Sequence, residues 1–320
     1  MGYTRRMSMN LAASSSPNAN PFTGPALATG SMASSQFGVA IAVPLMVSHG
    51  SFGISAMRLG FAALFCLAWV RPDFRRFDRR QWVAALSLGA AMGFMTLCYF
   101  TAARLIPMGA AITIDFLGPL AIALLALRGW PRRILPLAAG IGVLLVCYGN
   151  QGRLLDPAGI LFALGAACGW AGYIVLMRHV GRLFSAQEGL CLSLLTAAAL
   201  SLPAACLLEP SGAWLGELPT VAGLAVVSPL LPFALEMAAL RRMGIGRFSI
   251  VMSLEPAFGA LCGFLILGQA LSFRQTGGIL LVMAASAGAI LLPVLTWPAG
   301  GAEAALGLPW RRSGRDSALR

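Results

Sequence analysis

The chain has 320 residues, 58% of them hydrophobic and only 11% charged, with a formal net charge of +12 and a mean hydropathy of +0.80. A soluble domain of this size carries about 25% charged residues, so the composition excludes an ordinary water-soluble globule. The basic residues are all arginines and nearly all lie in short breaks between apolar runs, so the charge reads as membrane topology and excludes a nucleic-acid face.

In chain order, residues 1–34 are polar and rich in Ser, Asn, Ala and Gly. They lack the apolar core of a signal peptide and are expected to form a disordered cytoplasmic tail. Ten apolar stretches follow, at 35–50, 53–70, 82–103, 107–127, 134–149, 157–177, 187–208, 220–240, 247–268 and 272–293. Each is near the length needed to cross a hydrocarbon core of ~30 Å. None alternates apolar and polar residues as a membrane barrel requires. The expected fold is therefore an all-α integral membrane protein of ten transmembrane helices. Residues 294–320, with Arg311, Arg312, Arg315 and Arg320, read as a second cytoplasmic tail.

Cytoplasmic loops are enriched in Arg. With the N-terminus inside, the inner segments hold nineteen arginines and the outer ones three, Arg104, Arg153 and Arg274. Arg58 lies within a span. Both termini are thus expected in the cytoplasm. A shift of 137 residues brings Ala102, Arg104, Gly109, Pro119, Ala123 and Leu124 onto Ala239, Arg241, Gly246, Pro256, Ala260 and Leu261 without a gap. Five spans per half make the second half inverted. The domains are then two five-helix repeats, 35–150 and 151–293. Inverted repeats with a site at their interface are a transporter architecture.

A charge at a helix centre costs about 2.5–3.5 kcal/mol on insertion scales. Four ionisable residues nevertheless fall within spans: Arg58, Asp115, Glu236 and Glu255. Such residues face the bundle interior and mark substrate or ion paths. Asp115 precedes Pro119 by one helical turn, and Glu255 directly precedes Pro256. The repeat places the two prolines in register. Proline frees a backbone carbonyl one turn back, and freed backbone in a membrane must face protein or a wet cavity. Acid plus proline at the repeat interface marks the candidate substrate and proton site. Glu236 follows Pro229 and Pro232 by seven and four residues, so all three share one face of the eighth span, and Pro232 is expected to interrupt its helix as Pro119 and Pro256 do. The carboxylates suit a substrate ammonium group or a proton, and Arg58 suits a substrate carboxylate. The alternative is that they are ion-paired helix glue, for example with Arg58, or that Arg58 snorkels. Tyr99, Trp170 and Tyr173 are candidates for the cavity wall, with ordinary packing as the alternative. His49 reads as an interface anchor. The seven cysteines lie in apolar runs without a CxxC pair and read as small hydrophobes. No metal ligands or cofactor motifs are present, so neither is expected.

Four segments carry a family resemblance: Pro107–Leu124 (PMGAAITIDFLGPLAIAL), Leu164–Leu176 (LGAACGWAGYIVL), Leu231–Leu240 (LPFALEMAAL) and Met252–Phe258 (MSLEPAF). Across about residues 36–293 the chain resembles the EamA-type branch of the drug/metabolite transporter superfamily. Within it, the chain is similar to the threonine/homoserine exporters of bacterial inner membranes. The Glu-Pro pair at Glu255 recurs across that superfamily, and the Leu-Glu-Met around Glu236 is similar to the exporter subgroup. Those exporters carry Glu where this chain has Asp115, one methylene shorter. The Ser-rich head is not part of the pattern. The resemblance implies a multi-pass inner-membrane protein that exports a small neutral amino acid, driven by proton entry. Buried carboxylates suit that exchange, because burial disfavours their charged form. The partners expected are a small-molecule substrate, protons and the lipid bilayer.

Other cargoes on the same fold remain open: a polyamine, a drug-like cation, a purine or an aromatic amino acid. An intramembrane aspartyl protease would need a second intramembrane aspartate beside Asp115. A serine protease would need a histidine at depth, and ATP coupling would need a Walker motif. The chain has none of these, so an enzyme is not expected. No feature reads on oligomeric state.

Overall fold

A computed structural model describes residues 22–125, 131–148, 154–184, 186–209, 213–232 and 251–296, with residues 235, 236, 238, 239, 242 and 248 between the last two. The expected tails fall largely outside these residues, as do Arg128, Arg153, Arg241, Gly246 and Arg247. The described residues are overwhelmingly helical. Their one departure toward sheet is an isolated bridge between Tyr148 and Leu154.

The helices are α1 Thr23–His49, α2 Ser51–Val70, α3 Arg79–Leu105, α4 Met108–Asp115, α5 Leu117–Leu125 and α6 Pro131–Cys147. After them come α7 Pro157–Leu183, α8 Ala186–Leu208, α9 Leu218–Ala225, α10 Glu255–Leu267 and α11 Phe273–Thr296. Among the described residues, five helices are long and apolar enough to cross a membrane: Thr23–His49, Ser51–Val70, Arg79–Leu105, Pro157–Leu183 and Gln187–Leu208. Shorter apolar helices lie at Met108–Ile122, Ile134–Cys147, Leu215–Leu230 and Glu255–Leu267.

Three boundaries differ from those expected. α1 starts at Thr23, inside the segment expected as a tail. Its first turns are rich in small residues, and Gly24, Ala28, Ser31 and Met32 are buried. Small residues let helices approach closely, and here that property outweighs their coil-like composition. The fourth span is two helices, α4 and α5, meeting at Phe116. The eighth is interrupted at Ser228, whose φ of −156° and ψ of 109° are extended.

Local chemistry fixes the helix ends. Asp78 and Gln81 form a capping box at the start of α3, each satisfying a backbone N–H that the helix leaves unpaired. The Glu209 carboxylate accepts from the N–H groups of Phe52 and Gly53 at the start of α2, at 3.1 and 2.8 Å. Gly50, between α1 and α2, has a φ of 98°, and a Cβ there would overlap that carboxylate.

α3 packs between α7 and α8, α2 lies on α8 and α9, and α6 pairs with α11. Small residues line these crossings: Gly89 abuts the Ser193 carbonyl, Gly169 abuts Met95, and Gly142 and Gly278 face each other. The two short helices α4 and α10 pack together, with Gly109 against Ala260 and Gly259 against Ile112.

Candidate functional site

The site is built around two interrupted helices. In the first, the Phe116 N–H donates to the Ile112 carbonyl at 2.9 Å and the Leu120 N–H donates to the Phe116 carbonyl at 3.2 Å. Pro119 has no N–H, so the Asp115 carbonyl loses its helical donor. In the second, the Leu254 N–H donates to the Val251 carbonyl at 3.0 Å in a tightened turn, and α10 begins at Glu255. Pro256 in the same way leaves the Met252 carbonyl without its donor. The 137-residue shift read from the sequence maps Phe116 onto Ser253, and the helices break at both places.

Asp115 and Glu255 are buried, at 4% and 7% exposure, within electrostatic range of each other. From α1, Gln36, 1% exposed, reaches Glu255. Its amide nitrogen donates to Glu255 Oε1 at 3.2 Å, and its carbonyl oxygen accepts from the Tyr99 hydroxyl at 3.2 Å. Tyr99, on α3, is within electrostatic range of Asp115, Glu255 and Arg58. Asp115 Oδ1 and Glu255 Oε2 have no hydrogen-bond partner among the described residues. Buried polar atoms are rarely left so.

Arg58 sits mid-way along α2 at 4% exposure, with its guanidinium carbon 3.8 Å from the centre of the Phe100 ring. It does not snorkel. Its Nε and Nη1 have no partner among the described residues, and no carboxylate among them lies within ion-pair distance. Stacking on a ring is worth about 2 kcal/mol when desolvated, well short of what a buried cation forfeits. Among the described residues Arg58 therefore has no ion-pair partner.

Glu236 forms a third acidic position, within electrostatic range of Glu255. Its Oε1 accepts from the Ser31 hydroxyl of α1 at 2.9 Å, and the same hydroxyl lies 3.2 Å from the Pro232 carbonyl. The helix of the eighth span is interrupted at Ser228, directly before Pro229. There the Leu231 N–H turns back to the Val226 carbonyl, and the Ser34 hydroxyl takes the Val227 carbonyl at 2.7 Å. Gly38 lets α1 approach Ser228 closely. Helix α1 thus holds the broken eighth span as well as Glu255.

Trp170 meets the Phe116 ring edge-on, with centroids 5.6 Å apart, so it lies against the first helix break. Tyr173 packs in the apolar cluster of α2, α3 and α8 and is within electrostatic range of Glu236. Gln36 and Ser31 were not among the residues expected at the site. Ser31 fell in the segment read as a tail, and Gln36 carries no charge. The small residues Gly30, Ser34 and Gly38 at four-residue spacing were the signal that this helix packs closely. Among the described residues no group of three His, Cys, Asp or Glu comes together to hold a metal.

A membrane-embedded helical bundle with interrupted helices around buried charges is the framework of a transporter. Residues 157–291 match the EamA-like transporter family. The chain is 33% identical over 270 residues to the threonine/homoserine exporter RhtA of Salmonella typhimurium, covering 81% of this chain and 88% of that one. It is 32% identical over 265 residues to the protein of the same name from Escherichia coli K12, with the same coverage. The chain belongs to the EamA-like transporter family. A protein of known crystal structure shares the fold at a TM-score of 0.54 and 21% identity, over 86% of this chain and 99% of that chain.

Proposed function

We propose that the protein is a secondary transporter that exports a small neutral amino acid of the threonine or homoserine type across the bacterial inner membrane in exchange for protons. The observation that carries this reading is a pair of opposite charges, both within electrostatic range of Tyr99. Among the described residues the Arg58 guanidinium has two unpartnered nitrogens, and Asp115 and Glu255 each have an unpartnered carboxylate oxygen. A zwitterion satisfies both poles. A polyamine or simple organic cation satisfies only the acidic one and leaves a buried guanidinium unpaired, which costs heavily. The exporters to which the chain is similar support an amino acid as cargo.

The mechanism proposed is alternating access between two inverted repeats, with both termini in the cytoplasm. The interrupted helices supply the hinge points, and the carboxylates exchange protons for the substrate ammonium. The acidic residues then never face the bilayer core with an uncompensated charge, which is the requirement burial imposes.

Proteoliposome counterflow tests the reading. Vesicles loaded with unlabelled threonine or homoserine are expected to accumulate the labelled compound, and Glu255→Gln is expected to lose that accumulation. Arg58→Gln is expected to weaken the amino acid while sparing competition by a diamine. Robust counterflow of a diamine, with no response to either amino acid in folded protein, would replace this cargo with a cation.

A further inference from the structure

The expected machinery leaves Gln36 unexplained. A carboxamide at 1% exposure in an apolar helix is costly unless both its ends are bonded, and here both are. When ionised, the Glu255 carboxylate only accepts, so the amide nitrogen faces it. A reversed amide would set two acceptors against each other. The Tyr99 hydroxyl then completes the chain by donating to the amide oxygen. Gly259, one turn beyond Glu255 on α10, lies beside the amide: a Cβ there would sit 3.4 Å from the Gln36 oxygen, in ordinary contact, while meeting Ile112 closely. Tyr99, Gln36 and Glu255 come from α3, α1 and α10, so three helices converge on one oxygen of one carboxylate.

We propose that Gln36 is a positioning residue for the cargo site. It grips Glu255 by Oε1 and so leaves Oε2, the unpartnered oxygen, presented to the cargo ammonium. Tyr99 acts through Gln36 by fixing the sense of its amide. The role assigned to Oε2 rests on the amino-acid reading above. The grip on Oε1 does not.

The test has a cargo arm and a cargo-free arm. In counterflow, Gln36→Leu keeps the bulk and removes the amide. It is expected to raise the half-saturating threonine concentration about tenfold, the scale of one hydrogen bond to a charged group, with maximal rate within about twofold. Tyr99→Phe is expected to raise it less, and to add nothing in the Gln36→Leu background, because both changes break one chain. In the cargo-free arm, infrared difference spectra of Gln36→Leu against wild type are expected to show a shifted carboxylate band. That shift should vanish when both proteins also carry Glu255→Gln. An unshifted band, or one that persists without Glu255, overturns the grip. Additive effects of the two substitutions, or a fall in rate with unchanged half-saturation, overturn the positioning role. If the wild type carries no amino acid, the cargo reading fails by itself, and the infrared arm still decides whether Gln36 holds Glu255.

Discussion

The two helix breaks share a plan and differ in their wiring. Each places a buried acid near a proline that frees a backbone carbonyl, and the two prolines are related by one sequence shift. Yet Asp115 Oδ1 has no hydrogen-bond partner among the described residues, whereas Glu255 Oε1 is held by Gln36 and, through it, by Tyr99. The partner that makes the difference is α1, whose bonds reach residues 193 to 219 positions away. It bonds Glu255 through Gln36, Glu236 through Ser31 and the eighth-span break through Ser34. Two similar helix breaks can thus carry one fixed and one adjustable carboxylate, and a carrier that must bind and release has use for both.

The largest effect expected is removal of either charge. Asp115→Asn and Glu255→Gln each take away one partner of the cargo ammonium, a loss of about 2–5 kcal/mol of cargo binding. Counterflow should fall to background in both. If only one abolished transport, the two breaks would not be functional equivalents.

Changing length while keeping charge separates them. Asp115→Glu extends a carboxylate whose Oδ1 is unpartnered among the described residues, and transport should stay within a few-fold of wild type. Glu255→Asp withdraws the carboxylate from Gln36 and forfeits a hydrogen bond to a charged group, about 1.5–3 kcal/mol. Half-saturation for threonine should rise correspondingly. The reverse ranking would mean that Asp115 is the fixed residue and Glu255 the adjustable one.

Much of the framework was legible in the sequence. Runs of apolar residues without alternation dictate helices in lipid, and the prolines at 119 and 256 foretold where hydrogen bonding falters. The charges at 58, 115, 236 and 255 stood out because the bilayer penalises them. Gln36 did not stand out, since an uncharged amide is cheap to carry and its partners lie 63 and 219 positions away. Thr23–Ser34 read as a tail because Gly, Ala and Ser mark both loose coil and tight helix crossings. Only a partner surface decides between the two, and that surface is remote in sequence. The break at Ser228 was hidden for a related reason: Pro229 and Pro232 fit a helical face as readily as an interruption.

The contact that joins the two breaks should be intolerant of bulk. At Gly109 a Cβ would come 2.9 Å from the Ala260 Cα, which is backbone and cannot turn aside. Gly109→Ala is expected to cost about 1–3 kcal/mol, as overpacking does, and to lower the thermal midpoint in detergent. Gly172 on α7 has nothing within 4 Å of its Cβ position. Gly172→Ala should leave that midpoint unchanged or raised, since alanine favours the helix. Equal losses at both sites would mean that the close approach of α4 and α10 is not what Gly109 serves.

The smallest effects concern the two serines of α1, which divide support from function. Ser34 serves backbone alone, supplying the donor that Val227 lost when Leu231 turned back to Val226. Ser34→Ala should therefore lower stability by about 1 kcal/mol and leave half-saturation for threonine alone. Ser31 shares one hydroxyl between the Pro232 carbonyl and Glu236. A single proton serves one acceptor at a time, so the carbonyl can keep the hydroxyl occupied whenever Glu236 is protonated or cargo-bound. Ser31→Ala should accordingly alter transport more than stability. If the two serines instead behaved alike, α1 would be a strut for the broken span, and its contact with Glu236 would carry no part of the exchange.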